Sequence, residues 1–298
     1  MKFVKAGQLT RDAREKGYAV PALNTNGAGY DIARAALEAA EEMKSPLILQ
    51  VYEPNLEYRG LDYFVNLASF LCDELNISVP VALQVDHGHS FESAAKAMKA
   101  GFTSFMFDAS HDPLEENIRK TRKVVELAGI LGCSVEAEVG YVKGNEPKKE
   151  KLIGRIPVQE KPEIPPAKTN IEEAKRFVNE VAIDMLAVSV GTTHGVYEKQ
   201  TEIDFELLKK LRSEIDLPLV QHGTCGISLE DVSKLVSCGM SKINFGEPFR
   251  FNYIKYFNEL TDSIEHLWHP WKIMREIKDK LKSDMKEIIS AMGSDGKA

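Results

Sequence analysis

No stretch of the 298 residues is apolar for long enough to cross a bilayer, which argues against a helical membrane span. Cysteine is scarce: Cys72, Cys133, Cys225 and Cys238 show no C-x-x-C spacing, and three of the four fall inside apolar helix or strand patterns. That speaks against a disulfide framework and predicts reduced, buried thiols. Nowhere do Lys and Arg gather into a stripe near aromatics, and the formal net charge is −7, so nucleic acid is not expected as a partner. The opening Met1-Lys2-Phe3-Val4-Lys5 lacks the apolar core and small-residue cleavage site of a signal peptide, which points to the cytoplasm. Repeats at fixed spacing and low-complexity tracts are missing too. What remains is the composition of an ordinary enzyme, 43% hydrophobic and 28% charged, enough for a large core.

One stretch organises the rest. Val81-Ala82-Leu83-Gln84-Val85 reads as a short apolar strand, and it runs out into Asp86-His87-Gly88-His89. Such a run suits a strand buried on both faces, and in parallel α/β folds ligands bind where strands end. Two more strands end alike: 184–190 runs into Gly191-Thr192-Thr193-His194-Gly195, and 217–221 into His222-Gly223-Thr224-Cys225-Gly226. A single histidine at a strand end is usually a hydrogen-bonded structural residue. Three of them, each beside glycine, converge if the strands share one barrel. His87, His194 and His222 would then make a zinc site of three imidazoles with an open fourth position.

The remaining pattern predicts that barrel. Strands are expected at 18–24, 46–52, 81–86, 102–107, 134–139, 184–190, 217–221 and 240–245. Helices at 10–16, 31–43, 62–75, 91–99, 113–131, 171–181, 205–215 and 229–237 alternate with them. Eight strands with one rhythm argue for an α/β fold, a (β/α)8 TIM barrel, as a single domain over 1–298. Two pieces depart from the rhythm. Segment 140–168, rich in Lys, Glu and Pro, directly follows the strand bearing Glu138 and is expected to be a mobile active-site loop. Beyond the eighth strand, 247–298 is a helical extension with helices at 248–257 and 270–292, suited to covering the barrel or building a subunit interface.

Neighbouring strand residues point to opposite faces, so Asp86 and His87 serve one site only where the strand has ended and turned. There Asp86 either orients a metal ligand or acts as general acid or base on the substrate. Glu136 and Glu138 share one face of their strand by the two-residue period. Glu138 and Asp108, both at strand ends, suit either an auxiliary site for a second divalent or a monovalent cation, or hydrogen-bonded support. His89 is read as support for the following helix, and His266 and His269 as solvent-facing. Gly191, Gly195, Gly223, Gly226 and Gly246 allow tight turns, or let backbone N–H groups approach an anion.

Six motifs in order carry a resemblance: Val85-Asp-His-Gly88, Asp108-Ala-Ser-His111, Val135-Glu-Ala-Glu-Val-Gly140, Gly191-Thr-Thr-His-Gly195, His222-Gly-Thr-Cys-Gly226 and Lys242-Ile-Asn-Phe245. The chain resembles the class II, zinc-dependent ketose-bisphosphate aldolases, the fructose- and tagatose-bisphosphate group, from Tyr18 to Lys297. The resemblance implies zinc on His87, His194 and His222, with Asp86 exchanging a proton with the C4 hydroxyl and Glu146 handling the proton at C3 of the enediolate. It implies substrate binding by Asn24, Asn244 and the Gly195, Gly223 and Gly246 loops, and a homodimer or homotetramer in which Lys278 reaches a neighbour's distal phosphate. The partner expected is a small sugar phosphate, with neither nucleic acid nor membrane involved.

Four positions depart from the family. Cys225 stands where Ser or Thr is usual, Glu247 where Thr is usual, Tyr52 in place of a small serine and Lys143 in place of a loop glycine. The missing hydroxyls at 225 and 247 help hold a C1 phosphate, and a carboxylate there repels a dianion by several kcal/mol at ~4 Å and an effective dielectric near ~20. Two readings follow: a ketose or sugar acid without a C1 phosphate, or an ordinary fructose- or tagatose-1,6-bisphosphate substrate with Glu247 turned away. A zinc-dependent hydrolase or isomerase, or a catalytically silent homologue, would share the histidines but would not need Asp86 paired with a loop carboxylate.

Overall fold

Eight parallel strands close into a barrel in the computed structural model, which describes residues 3–27, 29–140, 151–153, 156–158, 167–195, 202–262 and 268–298. The first half runs α1 (Ala6–Lys16), β1 (Val20–Asn24), α2 (Tyr30–Met43), β2 (Leu47–Tyr52), α3 (Leu56–Arg59), α4 (Leu61–Glu74), β3 (Val81–Gly88), α5 (Phe91–Ala100), β4 (Ser104–Phe107), α6 (Leu114–Leu131) and β5 (Ser134–Val139). After the short strands β6 (Lys151–Ile153) and β7 (Ile156–Val158) come α7 (Ile171–Glu180), β8 (Met185–Val188), α8 (Phe205–Glu214), β9 (Leu219–Gln221), α9 (Leu229–Ser237), β10 (Met240–Phe245), α10 (Glu247–Thr261) and α11 (Pro270–Ala291). Around the barrel the order is β1-β10-β9-β8-β5-β4-β3-β2, the closure expected of a (β/α)8 barrel.

Every residue of β1, β4, β5, β8, β9 and β10 is buried, because one face meets the barrel interior and the other the helices. Outward Leu49, Leu83, Val135 and Leu186 pack with helix residues such as Ala36, Phe64, Ala97 and Phe177. Ala22, Ile48, Ala82, Met106, Ala187 and Val220 fill the interior together with Leu9 and Ala13 of α1. Thus α1 floors the barrel: it begins four residues earlier than the expected helix, and the amide N–H of Gly7 donates to Ser134 Oγ at 3.1 Å. Side-chain caps start several outer helices, Ser90 for α5, Asn170 for α7, Asp204 for α8 and Ser228 for α9.

Other boundaries shift for physical reasons. The expected strand at 217–221 starts at Leu219 because Pro218 has no N–H for the ladder. The helix expected at 248–257 extends over Glu247–Thr261, and Pro248 sits in its first turn, where a missing N–H costs nothing. Within segment 140–168, expected to be a mobile active-site loop, β6 and β7 pair antiparallel; its expected mobility, like Lys143 and Glu146, lies outside the described residues. All four cysteines are free, Cys72 and Cys238 buried and Cys133 and Cys225 half-buried. No helix among the described residues is long and apolar enough to cross a membrane.

Candidate active site

The end of β3 shows how adjacent residues reach one site. Its ladder with β4 shifts register between Val85 and Gly88, and His87 adopts a φ of 50°, a left-handed conformation that a residue with a side chain rarely takes. This turn in the chain lets Asp86 and His87 both line the same cavity. The turn is made at His87 itself, and glycine is needed at 88 because a Cβ there would overlap the Phe105 ring.

His87, His194 and His222 arrive from β3, the loop after β8 and the end of β9, and each offers a ring nitrogen within 4.8 Å of the others. His87 Nε2 and His222 Nδ1 face each other at 3.1 Å. The opposite nitrogen of every ring meets a carboxylate: His87 Nδ1 lies 2.7 Å from Asp108 Oδ2, His222 Nε2 2.9 Å from Glu136 Oε1, and His194 Nδ1 3.0 Å from Glu247 Oε1. A carboxylate on the outer nitrogen fixes the tautomer and turns the inner nitrogen toward a cation. Asp108 is itself held by the backbone N–H and hydroxyl of Ser110, so its role as support for His87 is built in. It also lies with His87 and Glu138 in a second group whose ligand atoms fall within 4.8 Å of one another.

The charges favour a cation at this point. Burial alone would raise the Glu136 carboxyl, but the Lys242 ammonium and His222 bring it down to about 2. Burial likewise opposes ionisation of Glu247, which His194 and then Arg250 hold at about 2. His87 would be pushed down by burial, yet Asp86, then Asp108 and Glu138, lift it to about 10. Three imidazoles surrounded by ionised carboxylates are the donor set of a divalent metal, and the residues present fit a zinc ion.

Asp86 is 7% exposed and accepts one amide N–H at each oxygen, from Asn24 Nδ2 at 3.2 Å and Asn244 Nδ2 at 3.1 Å. Asn244 is fixed in turn by the Nζ of Lys242, which donates to its Oδ1 at 2.7 Å and to Glu136 Oε2 at 2.7 Å. Gln84 Nε2 donates to the same glutamate oxygen at 2.9 Å. Above this buried polar layer opens a cavity of about 410 Å³, walled by Asp86, His87, His194 and the Asn244–Glu247 turn.

Residues 4–297 match the family model described as fructose-bisphosphate aldolase class-II. The chain belongs to that family. This class II aldolase is 37% identical over its whole length to the fructose-bisphosphate aldolase of Geobacillus stearothermophilus, of which 99% is covered. It is 35% identical, again over its whole length, to the 6-phospho-5-dehydro-2-deoxy-D-gluconate aldolase of Bacillus licheniformis, of which 97% is covered. Among solved structures, the YdjI aldolase of Escherichia coli K12 superposes with a TM-score of 0.83 at 30% identity, covering 99% of each chain.

Within the aldolase, Asn24, Gly223, Asn244, Gly246 and Glu247 line the cavity, whereas Gly195 and Cys225 stand outside its wall. Gly223 has a φ of 67° and passes so close to the Thr193 backbone that a Cβ would come within 2.8 Å of it, which packs the two histidine-bearing loops together. The Cys225 thiol is pushed up to about 12 by burial and Glu247, so it stays protonated. Lys278 does not reach this cavity: it is buried between α11 and α2, with its Nζ 2.6 Å from Glu38 Oε2. Residues that sequence reasoning missed also enter the wall, namely His111, Asn26, Asn55 and Arg250. His89 joins them, with Nδ1 3.2 Å from the Asp108 carbonyl, and so faces the site, while Ser90 caps the next helix. Tyr52 lines the cavity edge-on to the His87 ring, and burial and Asp86 raise its hydroxyl.

Proposed function

We propose that this aldolase uses zinc, held by His87, His194 and His222, to cleave and form the C3–C4 bond of a ketose phosphate that lacks a phosphate on C1. The observation that carries the reading is Asp86, set beside His87 with an asparagine amide on each carboxylate oxygen. Those two bonds fix the side chain where it lines the cavity, within reach of a substrate hydroxyl for which it can serve as a base. Zinc at the three imidazoles would act as a Lewis acid and stabilise the enediolate left when the bond breaks. Asp86 takes the C4 hydroxyl proton while the C4–O bond becomes the aldehyde carbonyl and the bonding pair stays on C3. In condensation it returns that proton. The C3 proton is assigned to Glu146 by the family resemblance, and that residue lies outside the described ones. A lysine Schiff base has no part in this scheme, and Lys242 is committed to Glu136.

Glu247 supports the choice of substrate. Its carboxylate lines the cavity and is held ionised, so a C1 dianion placed ~4 Å away would meet a repulsion of several kcal/mol. The 6-phospho-5-dehydro compound in the name of the Bacillus licheniformis relative carries its phosphate on the carbon beside the ketone, as a C1 phosphate stands beside C2, and so favours a phosphate at that end rather than its absence. Among the described residues lining the cavity Arg250 is the one Lys or Arg, close enough to Glu247 to help hold it ionised and suited to an anionic group on the substrate. The second reading, supported by the relatives named fructose-bisphosphate aldolase, is that fructose or tagatose 1,6-bisphosphate yields dihydroxyacetone phosphate and glyceraldehyde 3-phosphate. Steady-state cleavage of fructose 1,6-bisphosphate against fructose 6-phosphate, at saturating zinc, separates them. Efficient turnover of the bisphosphate alone sinks the altered-site reading.

The same proposal places the enzyme in the cytoplasm as one domain over 1–298, assembled as a homodimer or homotetramer. Ile254, Phe257, Trp268 and Trp271, exposed on and between the C-terminal helices, support self-association there. Light scattering would give the oligomer size.

A further inference from the structure

The departures from the family at the C1 end have a second consequence, in the metal site itself. We propose that Glu247 is a positioning residue for His194: its carboxylate accepts the Nδ1–H of that ring and thereby presents Nε2 to the ion. The inference rests on the reading that His87, His194 and His222 hold a metal.

Three observations support it. Glu247 Oε1 lies 3.0 Å from His194 Nδ1, and the two side chains retain only 18% and 25% of their exposure. The other two rings have carboxylates in the equivalent place, Asp108 at 2.7 Å and Glu136 at 2.9 Å, so the Glu247 contact completes a threefold pattern. Finally, the carboxylate comes from a different kind of element. Asp108 and Glu136 stand on or at the end of barrel strands, whereas Glu247 opens α10, where the partial positive charge of the helix N-terminus stabilises an anion.

A threonine hydroxyl ends two bonds sooner than a glutamate carboxylate, so the threonine usual in the family could not make this contact from the same backbone. The carboxylate that makes the C1 region hostile to a phosphate is therefore also a part of the metal site. Restoring a threonine would relieve the repulsion and weaken the grip on the ion at the same time. Metal affinity and the choice of C1 substituent are coupled through one side chain.

The test uses full-length protein stripped of metal and titrated with zinc against a chromophoric chelator, and separately loaded with cobalt(II) for its visible spectrum. Glu247→Gln should hold one ion about 10- to 100-fold more weakly than the wild type, the usual loss when a ligand histidine loses its outer carboxylate. Its cobalt spectrum should shift, and Asp108→Asn should show a loss of similar size. Histidine nitrogen NMR of the zinc-loaded wild type should show His194 protonated at Nδ1. Glu247→Ala, checked for folding by circular dichroism, should reproduce the loss. Zinc affinity within twofold of the wild type in both Glu247 variants, with an unchanged cobalt spectrum, would overturn the proposal while leaving the zinc reading intact. A wild-type protein that holds no ion, or one indifferent to His194→Ala, would overturn both.

Discussion

Lys242 Nζ lies 2.7 Å from Glu136 Oε2, with both side chains wholly withdrawn from solvent. An ammonium sealed inside a barrel is tolerated only when its charge and its N–H groups are matched, and the Oδ1 of Asn244 takes a second one. The pair therefore underpins both the base and the metal site, since Asn244 holds Asp86 and Glu136 holds His222. Lys242→Met leaves a buried carboxylate uncompensated and should cost about 3–5 kcal/mol in urea unfolding. The double variant Glu136→Gln/Lys242→Met should cost less than the sum of the two single changes. Strict additivity would show that the pair is not coupled.

The same glutamate sets an acid limit. Its carboxyl is held at about 2 in the folded chain, against an ordinary value of 4.5, by Lys242 and His222 working against burial. A depressed carboxyl contributes stability above its unfolded value and loses it as pH falls through the folded one. For Glu136 that contribution is about 3 kcal/mol. It should therefore fade between about pH 4.5 and pH 2. Melting curves of wild type and Glu136→Gln should converge as the pH drops through that window, because the variant has no proton to take up there. Parallel curves would contradict the assignment.

Much of this was legible in the residues. A barrel strand is apolar on both faces, so β3, β8 and β9 stand out as short hydrophobic runs, and a histidine beside a glycine stands at the end of β3 and of β9 and in the loop after β8. The two-residue period put Glu136 and Glu138 on one face, and both prove to be buried. Pairings across the barrel were not legible: Glu136 and Lys242 are 106 residues apart, and only closure of the sheet brings them together. A signal was present, since a lysine inside the strand Met240–Phe245 needs a buried carboxylate somewhere. Lys278 is a related case: the resemblance directs it at a neighbouring subunit's phosphate, while within this chain it lies on the inward stripe of α11, and its partner Glu38 is 240 residues away.

Gly88 offers a packing test. A methyl group there would overlap the Phe105 ring in the adjacent strand, so Gly88→Ala should lower stability by about 1–3 kcal/mol, the range for an overfilled core. Adding Phe105→Leu opens space at the point of overlap, and the pair should cost less in thermal unfolding than the two single changes added together. An additive result would mean that the strain is relieved elsewhere along β3.

Asp86 bears the chemical reading most directly. Asp86→Asn keeps the shape of the side chain but turns one acceptor into a donor, which then faces the amide of Asn24 or Asn244. The proton acceptor for the C4 hydroxyl is lost, while the outer carboxylates on His87, His194 and His222 are untouched. Cleavage followed by aldehyde release should fall by about 10²- to 10⁴-fold in kcat, the usual span for removing a general base. Zinc affinity by chelator competition should change by no more than a few-fold, which separates loss of the base from collapse of the site. Removing the ion with a chelator should abolish cleavage in wild type and restore it on readdition, whereas no amount of zinc should rescue the variant. Undiminished cleavage by Asp86→Asn would move the proton to another group, and Tyr52, whose ring lies edge-on to His87 at 6.0 Å in the same cavity, would be the next residue to change.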